Sequence, residues 1–196
     1  PRPSDGDHAR ALRRVEALSP PDPSYGIFGP GSKVWEINRE AVIFLGGGRA
    51  ALLQLAHPFV AQAVAEHSRT RQDPLGRFAR TFENVFAMVY GDRPSAMRAA
   101  RRVHAIHRRI TGRLPIEIAG LPGNGGYAAN QPDALLWVHA TLWDSSIQIY
   151  ELVFGPLSDA DKEAYQTQID EFVVPIEERS LDAYENGWKK AIELGI

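Results

Sequence analysis

DPLGRFARTFENVFAMVYGDRPSAMRAARRVHAIHRRITG, residues 73–112, contains two helix starts and two helix stops, and its reading decides the fold. Asp73 offers a carboxylate to the first free amides of a helix, and Pro74 supplies the fixed φ of a first helical residue. Leu75, Phe78, Phe82, Val85, Phe86 and Val89 then recur at the three-and-four spacing of a core-facing stripe. Gly91, after Tyr90, is the expected left-handed stop. Asp92 and Pro94 repeat the start for a helix expected from Pro94 to Thr111, closed by Gly112. A connection this short makes the two helices antiparallel neighbours.

Outward from this hairpin the signals stay helical. His57-Pro58 opens a helix to about His67, and Pro132 opens a long apolar one that ends at Gly155. Ser158-Asp159-Ala160-Asp161 reads as a capping box for a helix to about Phe172, and a last helix is expected from about Ile176 to Leu194. Gly46-Gly47-Gly48 interrupts the apolar segment from Asn38 to Leu55. Each glycine costs a helix on the order of 1 kcal/mol, so the triplet is either a break or a place of close backbone approach. Residues 114–130, rich in Gly and Pro, form a loop of a length that is more often functional than idle. No run alternates with the period of two that a strand needs, and no internal repeat is present. The fold class is therefore all-α. A single helical domain over 29–196 follows an N-terminal arm, 1–28, with one short helix at about Asp7–Leu18.

Apolar residues make up 44% of the 196 positions and charged residues 23%, the balance of a globular protein. Lys plus Arg is 22 against 24 Asp plus Glu, a net charge of −2, which argues against nucleic acid as a partner. No run has the roughly 18 apolar residues of a membrane span. With no cysteine, disulfides, zinc fingers, iron–sulfur clusters and thiolate-bound haem are excluded. The cytoplasm is the expected compartment; secretion stays open because the chain begins at Pro1 rather than Met.

Without cysteine, the six histidines are the natural ligands or bases. Ala100, Val103, His107 and Ile110 fall on one helix face, which sets an imidazole in an apolar stripe. Either it is a core histidine bonded to a carbonyl, or it is an axial ligand to a metal in a dry pocket. The arginines at 98, 101, 102, 108 and 109 lie around the other faces and read as solvated. His104 and His107 spell H-x-x-H, but no third ligand at helical spacing completes a zinc site, and His104 leans toward the arginines. On the preceding helix Arg77, Thr81, Asn84 and Met88 share a polar face bordered by Arg80. A guanidinium one turn from a hydroxyl suits an acidic group, or is simply a solvated face. Ser145, His139 and Asp144 lie on one rigid helix and cannot relay protons in sequence, so a hydrolase triad is set aside. The glycine runs lack any phosphate-binding pattern.

Taken in order, GPGSKVW (29–35), FLGGGRAALLQLAHP (44–58), DPLGRFART (73–81), VYGD (89–92), HRRITG (107–112), YAANQPDALLWVHATLWDS (127–145) and LSDADKEAY (157–165) resemble one oxygenase family. It is the family of the latex-clearing rubber oxygenases and of the fungal oxygenase of mycophenolic acid biosynthesis. The resemblance implies an all-helical bundle with one haem b, acting with dioxygen on a hydrophobic isoprenoid or terpenoid-like substrate. It implies His107 as the axial ligand to the haem iron, with Arg77 and Thr81 beside the cofactor. Arg80 stands where the rubber oxygenases have a distal lysine. Phe78, Phe82, Phe86, Trp137 and Trp143 would then wall an apolar cavity. Family domains continue for several helices beyond the point matching Ile196, and the tail from Phe172 departs from their pattern, so a truncated C-terminus is expected. The alternative function is a non-catalytic helical protein that binds a hydrophobic small molecule without haem.

Overall fold

The structure is a computed structural model and describes residues 5–18, 22–68, 72–115 and 125–173. Eight α-helices lie in these residues: α1 Asp5–Leu18, α2 Lys33–Asn38, α3 Gly47–Gln54, α4 Pro58–His67, α5 Pro74–Val89, α6 Arg93–His107, α7 Pro132–Phe154 and α8 Asp159–Val173. A 3-10 segment, Ala41–Gly46, leads into α3, and two short strands, β1 Thr111–Arg113 and β2 Gly126–Ala128, pair antiparallel. The helix expected over 176–194 lies outside the described residues.

The helix starts follow their caps. Asp73 and Asp92 accept from the amides of Gly76 and Ser95 at 2.8 Å each, and His57 Nδ1 caps α4 through the Phe59 amide. Ser158 Oγ accepts from the Asp161 amide at 3.1 Å, as the capping box requires. Two ends differ from expectation. Gly91 is not left-handed; among the described residues only Gly155 has a positive φ, 93°. A side chain at 91 would instead collide with the Ala87 carbonyl oxygen, 2.5 Å from the ideal Cβ. The helix expected to reach Thr111 ends at His107. The Ala129 amide takes the Ile110 carbonyl at 3.0 Å, and Thr111 to Arg113 is drawn into pairing with Gly126 to Ala128. The bundle thus carries a small sheet, fastened to α4 where Tyr127 donates to Glu66 at 2.5 Å.

α7 is the helix on which the rest is arranged; the 3-10 segment, α2, α3 and α8 all pack on it. Its buried Thr141 and Ser146 hand their hydroxyl hydrogens back to the Val138 and Leu142 carbonyls, so they enter the interior already satisfied. In the glycine triplet the 3-10 segment gives way to α3, and its first two members are places of close approach. A Cβ at 46 would sit 3.2 Å from both the Ser145 carbonyl oxygen and Ile149 Cγ1 of α7. Just beyond, Arg49 donates to Asp144 at 2.6 Å and to Ser145 Oγ at 2.8 Å, which locks α3 to the same turn of α7. The main core gathers Ile27, Phe28, Val34, Ile37, Val89, Ala96, Met97, Ile147 and Tyr165, so the segment at 27–28 is built into the interior. α5 and α6 pack along each other as the short turn demands.

Gly26 meets that turn directly: a Cβ there would stand 2.6 Å from the Gly91 carbonyl oxygen and 2.9 Å from that of Met88. Gly48, in contrast, is exposed on α3 with nothing within 4 Å of its ideal Cβ. We expect Gly26→Ala to cost about 1–3 kcal/mol through backbone collision. Gly48→Ala should add about 0.5 kcal/mol by lowering the entropy of the unfolded chain. Urea denaturation of the two variants checks the opposite signs.

Candidate functional site

Arg77 and His107 come to the same end of the α5–α6 hairpin. At about 1.5 Å of rise per residue, Arg77 lies about 18 Å from the end of α5 and His107 about 21 Å from the start of α6. His107 is the last helical residue of α6 and is partly buried, with burial and the neighbouring His104 both lowering its pKa. Its ring makes no hydrogen bond to a described residue. The Ala100, Val103 and Ile110 stripe is likewise only partly covered, while the arginines at 98, 101, 102, 108 and 109 are exposed as expected. Arg77 is partly buried, and desolvation lowers its pKa; no described carboxylate pairs with it.

The other residues of that face are engaged within their own helix. Thr81 is exposed and spends its hydroxyl hydrogen on the Arg77 carbonyl at 3.0 Å. Arg80 is exposed and turns back to the Asp73 carboxylate at 3.1 Å. Asn84 donates its amide to the Arg80 carbonyl at 2.7 Å, and its Oδ1 is buried with no partner among the described residues.

A residue that helical spacing did not bring to this end joins it from α7. His139 is held neutral by desolvation and, less, by the nearby His107, which together push its pKa down to about 4. His104 Nδ1 lies 3.4 Å from Asn130 Nδ2, at the approach to α7. His57 is partly buried beside Trp137, ring centroids 6.4 Å apart, and burial lowers its pKa too. Thirty-two positions separate 107 from 139 (139 minus 107), so no local spacing rule could pair them. The available signal was chemical, a histidine with no satisfying neighbour on an apolar helix.

The expected aromatic cavity is divided. Phe82 and Phe86 line a cleft with Phe44, Ile43, Val85, Val89, Asn38 and Tyr90, but neither Trp137 nor Trp143 reaches it. Trp137 donates to the Leu53 carbonyl at 2.9 Å, Trp143 packs on the main core, and Phe78 is 39% exposed. The cleft encloses about 20 Å³, room for roughly one water molecule. Among the described residues no three His, Asp or Glu come together as a bare metal site. No helix of the described residues is long and apolar enough to cross a membrane.

Residues 34–173 match the family described as ER-bound oxygenase mpaB/B'/Rubber oxygenase, catalytic domain. The chain belongs to this family. No curated protein and no solved structure matches it. The family match runs from the second residue of α2 to the end of α8, and with it covers every candidate residue of the α5–α6 end and the histidines of α4 and α7.

The neutral histidines make stability depend on pH. Unfolded, His139 titrates at the ordinary 6.5; folded, it resists protonation to about 4. The unfolded state therefore binds the extra proton first, and stability is full above about pH 6.5 and falls as pH drops toward 4. His57 and His107 act in the same direction. A loss of up to about 3 kcal/mol from His139 is expected across this window, read as a lower urea midpoint at pH 4.5 than at pH 7. His139→Leu should flatten the profile; an unchanged slope would show that burial does not hold His139 neutral.

Proposed function

We propose that the chain is a haem b oxygenase that uses dioxygen on a hydrophobic, isoprenoid- or terpenoid-like substrate, with His107 as the axial ligand. The observation that carries this reading is a pair of groups at one end of the α5–α6 hairpin that, among the described residues, have neither a hydrogen-bond partner for the imidazole nor a carboxylate for the guanidinium. One is a desolvated neutral imidazole, the other a desolvated guanidinium without a carboxylate. An iron held by a porphyrin needs one protein lone pair, and its propionates need a cation. His107 and Arg77 would meet those two needs. The family match to an oxygenase catalytic domain supports the same chemistry.

When bound, haem b supplies the redox-active iron for chemistry with dioxygen. The chain's own residues do the rest. His107 is kept unprotonated by burial, so its lone pair is available at neutral pH. Arg77, which no described carboxylate pairs, would supply the positive charge for a propionate. Thr81, whose hydrogen is committed to the Arg77 carbonyl, has only its lone pairs to offer a bound group. Arg80 stands at the rim, tied to Asp73. His139, coupled to His107 from α7, adds a second imidazole that burial keeps uncharged.

Haem added to the purified protein should give a Soret band, and His107→Ala should weaken haem uptake at least tenfold. Arg77→Met should weaken it less, because it removes a propionate contact and leaves the iron ligand. A protein that stays colourless with haem in excess points to the haem-free binding protein instead.

A further inference from the structure

We propose that the exposed face of α3 is a dimer interface, on which a second copy of this chain pairs about a two-fold axis. The inference does not depend on the haem reading. It starts from a helix that is inside out. A surface helix normally buries its leucines and turns its charges to water. From Ala41 to Ala56, through the 3-10 segment and α3, the sequence AVIFLGGGRAALLQLA holds one charged residue, Arg49. That charge points inward, donating to Asp144 at 2.6 Å and to Ser145 Oγ at 2.8 Å. The leucines point the other way: Leu45 is 73% exposed, Leu52 74% and Leu55 43%. Their spacing, i, i+7 and i+10, keeps them on one side of the helix.

The row does not stop with α3. That helix runs antiparallel to α7, with Gly46 against Ser145 and Ile149, Arg49 against Asp144, and the Leu53 carbonyl against Trp137. Leu152 follows Ser145 and Ile149 at i, i+4 and i+7, on the side of α7 that meets the 3-10 segment, and is 79% exposed. It stands one turn past the contact at Gly46 and extends the row beyond Leu45. Together the four leucines put about 500 Å² of apolar surface in water, near the upper end for the largest patch of a monomer. Doubled across a two-fold axis this is about 1,000 Å², the size at which specific interfaces begin.

The chemistry of the row selects the partner. A bilayer surface is gripped by Lys and Arg around the apolar side chains and by Trp or Tyr at headgroup level. From Ala41 to Ala56 there is no Lys, Trp or Tyr, and the one Arg faces α7. A strongly charged protein partner would find no charge here to match. A second copy needs none: a two-fold axis sets leucines against leucines and brings no like charges together. The net charge of −2 adds little repulsion between copies.

Sedimentation equilibrium of the full chain tests this. From about 1 to 100 μM a monomer should pass into a dimer and into nothing larger, because a two-fold face closes on itself. Leu45→Glu and Leu52→Glu should each weaken dimerisation at least tenfold. Ile106→Glu, at a half-exposed position on α6, which packs against α5, should leave it unchanged. Leu45 and Leu52 already stand largely in water, so both variants should keep the circular dichroism of the parent. Leu52→Ala, which adds no charge, gives the same direction of change if the glutamates do not fold. A parent chain that stays monomeric throughout overturns the proposal, and its sedimentation with phosphatidylcholine vesicles would give the row to a bilayer instead. Growth into larger species overturns it too. So does a dimer that Leu45→Glu and Leu52→Glu leave intact, or that Ile106→Glu breaks as well.

Discussion

A hydrogen in place of a side chain at Gly46 lets the 3-10 segment lie against the Ser145 carbonyl of α7, and much of the architecture depends on that approach. Because the two backbones meet there, Arg49, one turn on, reaches Asp144 and Ser145 without spanning a gap. The pair is partly screened, so its main effect is directional: a short charge-assisted bond fixes the rotation of α3 about its own axis. With α3 set, the Leu53 carbonyl is in place to receive the Trp137 indole, and α4 begins beside α7 with His57 against the same ring. The segment also carries Phe44, which meets Phe78, Phe82 and Phe86 at 4.7–5.9 Å and so seats α5. One close contact thus positions the helices that bring Arg77 and, through α6, His107 to one end of the bundle.

The helices were legible wherever the chain announces its own ends. Asp-Pro at 73–74, His-Pro at 57–58, Gln-Pro at 131–132 and Ser158 are local signals, and α4, α5, α7 and α8 begin where they predict. The segment after His107 was not legible, and the reason is physical. Ile110 continues the helical spacing of Val103 and His107, so pattern alone extends the helix. What ends it is pairing with Gly126 to Ala128 across a loop, a partner that no local window contains. Gly91 shows a subtler limit: the sequence marks correctly that only glycine fits, but steric closeness to Ala87 and left-handed geometry leave the same letter.

The candidate site divides along the same line. Arg77 and His107 could be named from helix faces and from family phrases, because each sits on a helix whose ends are self-declared. The company they keep could not. His139 arrives from another helix, Thr81 and Arg80 turn inward to their own helix and its cap, and the phenylalanines separate from the tryptophans. Asn84 was visible as a member of a polar face, yet the property that distinguishes it, an Oδ1 with no donor among the described residues, exists only once the neighbouring atoms are in place.

The ring of Trp137, held by the Leu53 carbonyl and set beside His57, also makes the molecule self-reporting. Excited indole loses its energy readily to a protonated imidazole and much less to a neutral one. Because burial keeps His57 neutral below its ordinary range, emission from Trp137 stays bright in mild acid and dims when that imidazole takes a proton. Trp137, one of the chain's four tryptophans, thereby tracks in its light the charge state of His57 just ahead of α4, with no dye or label attached.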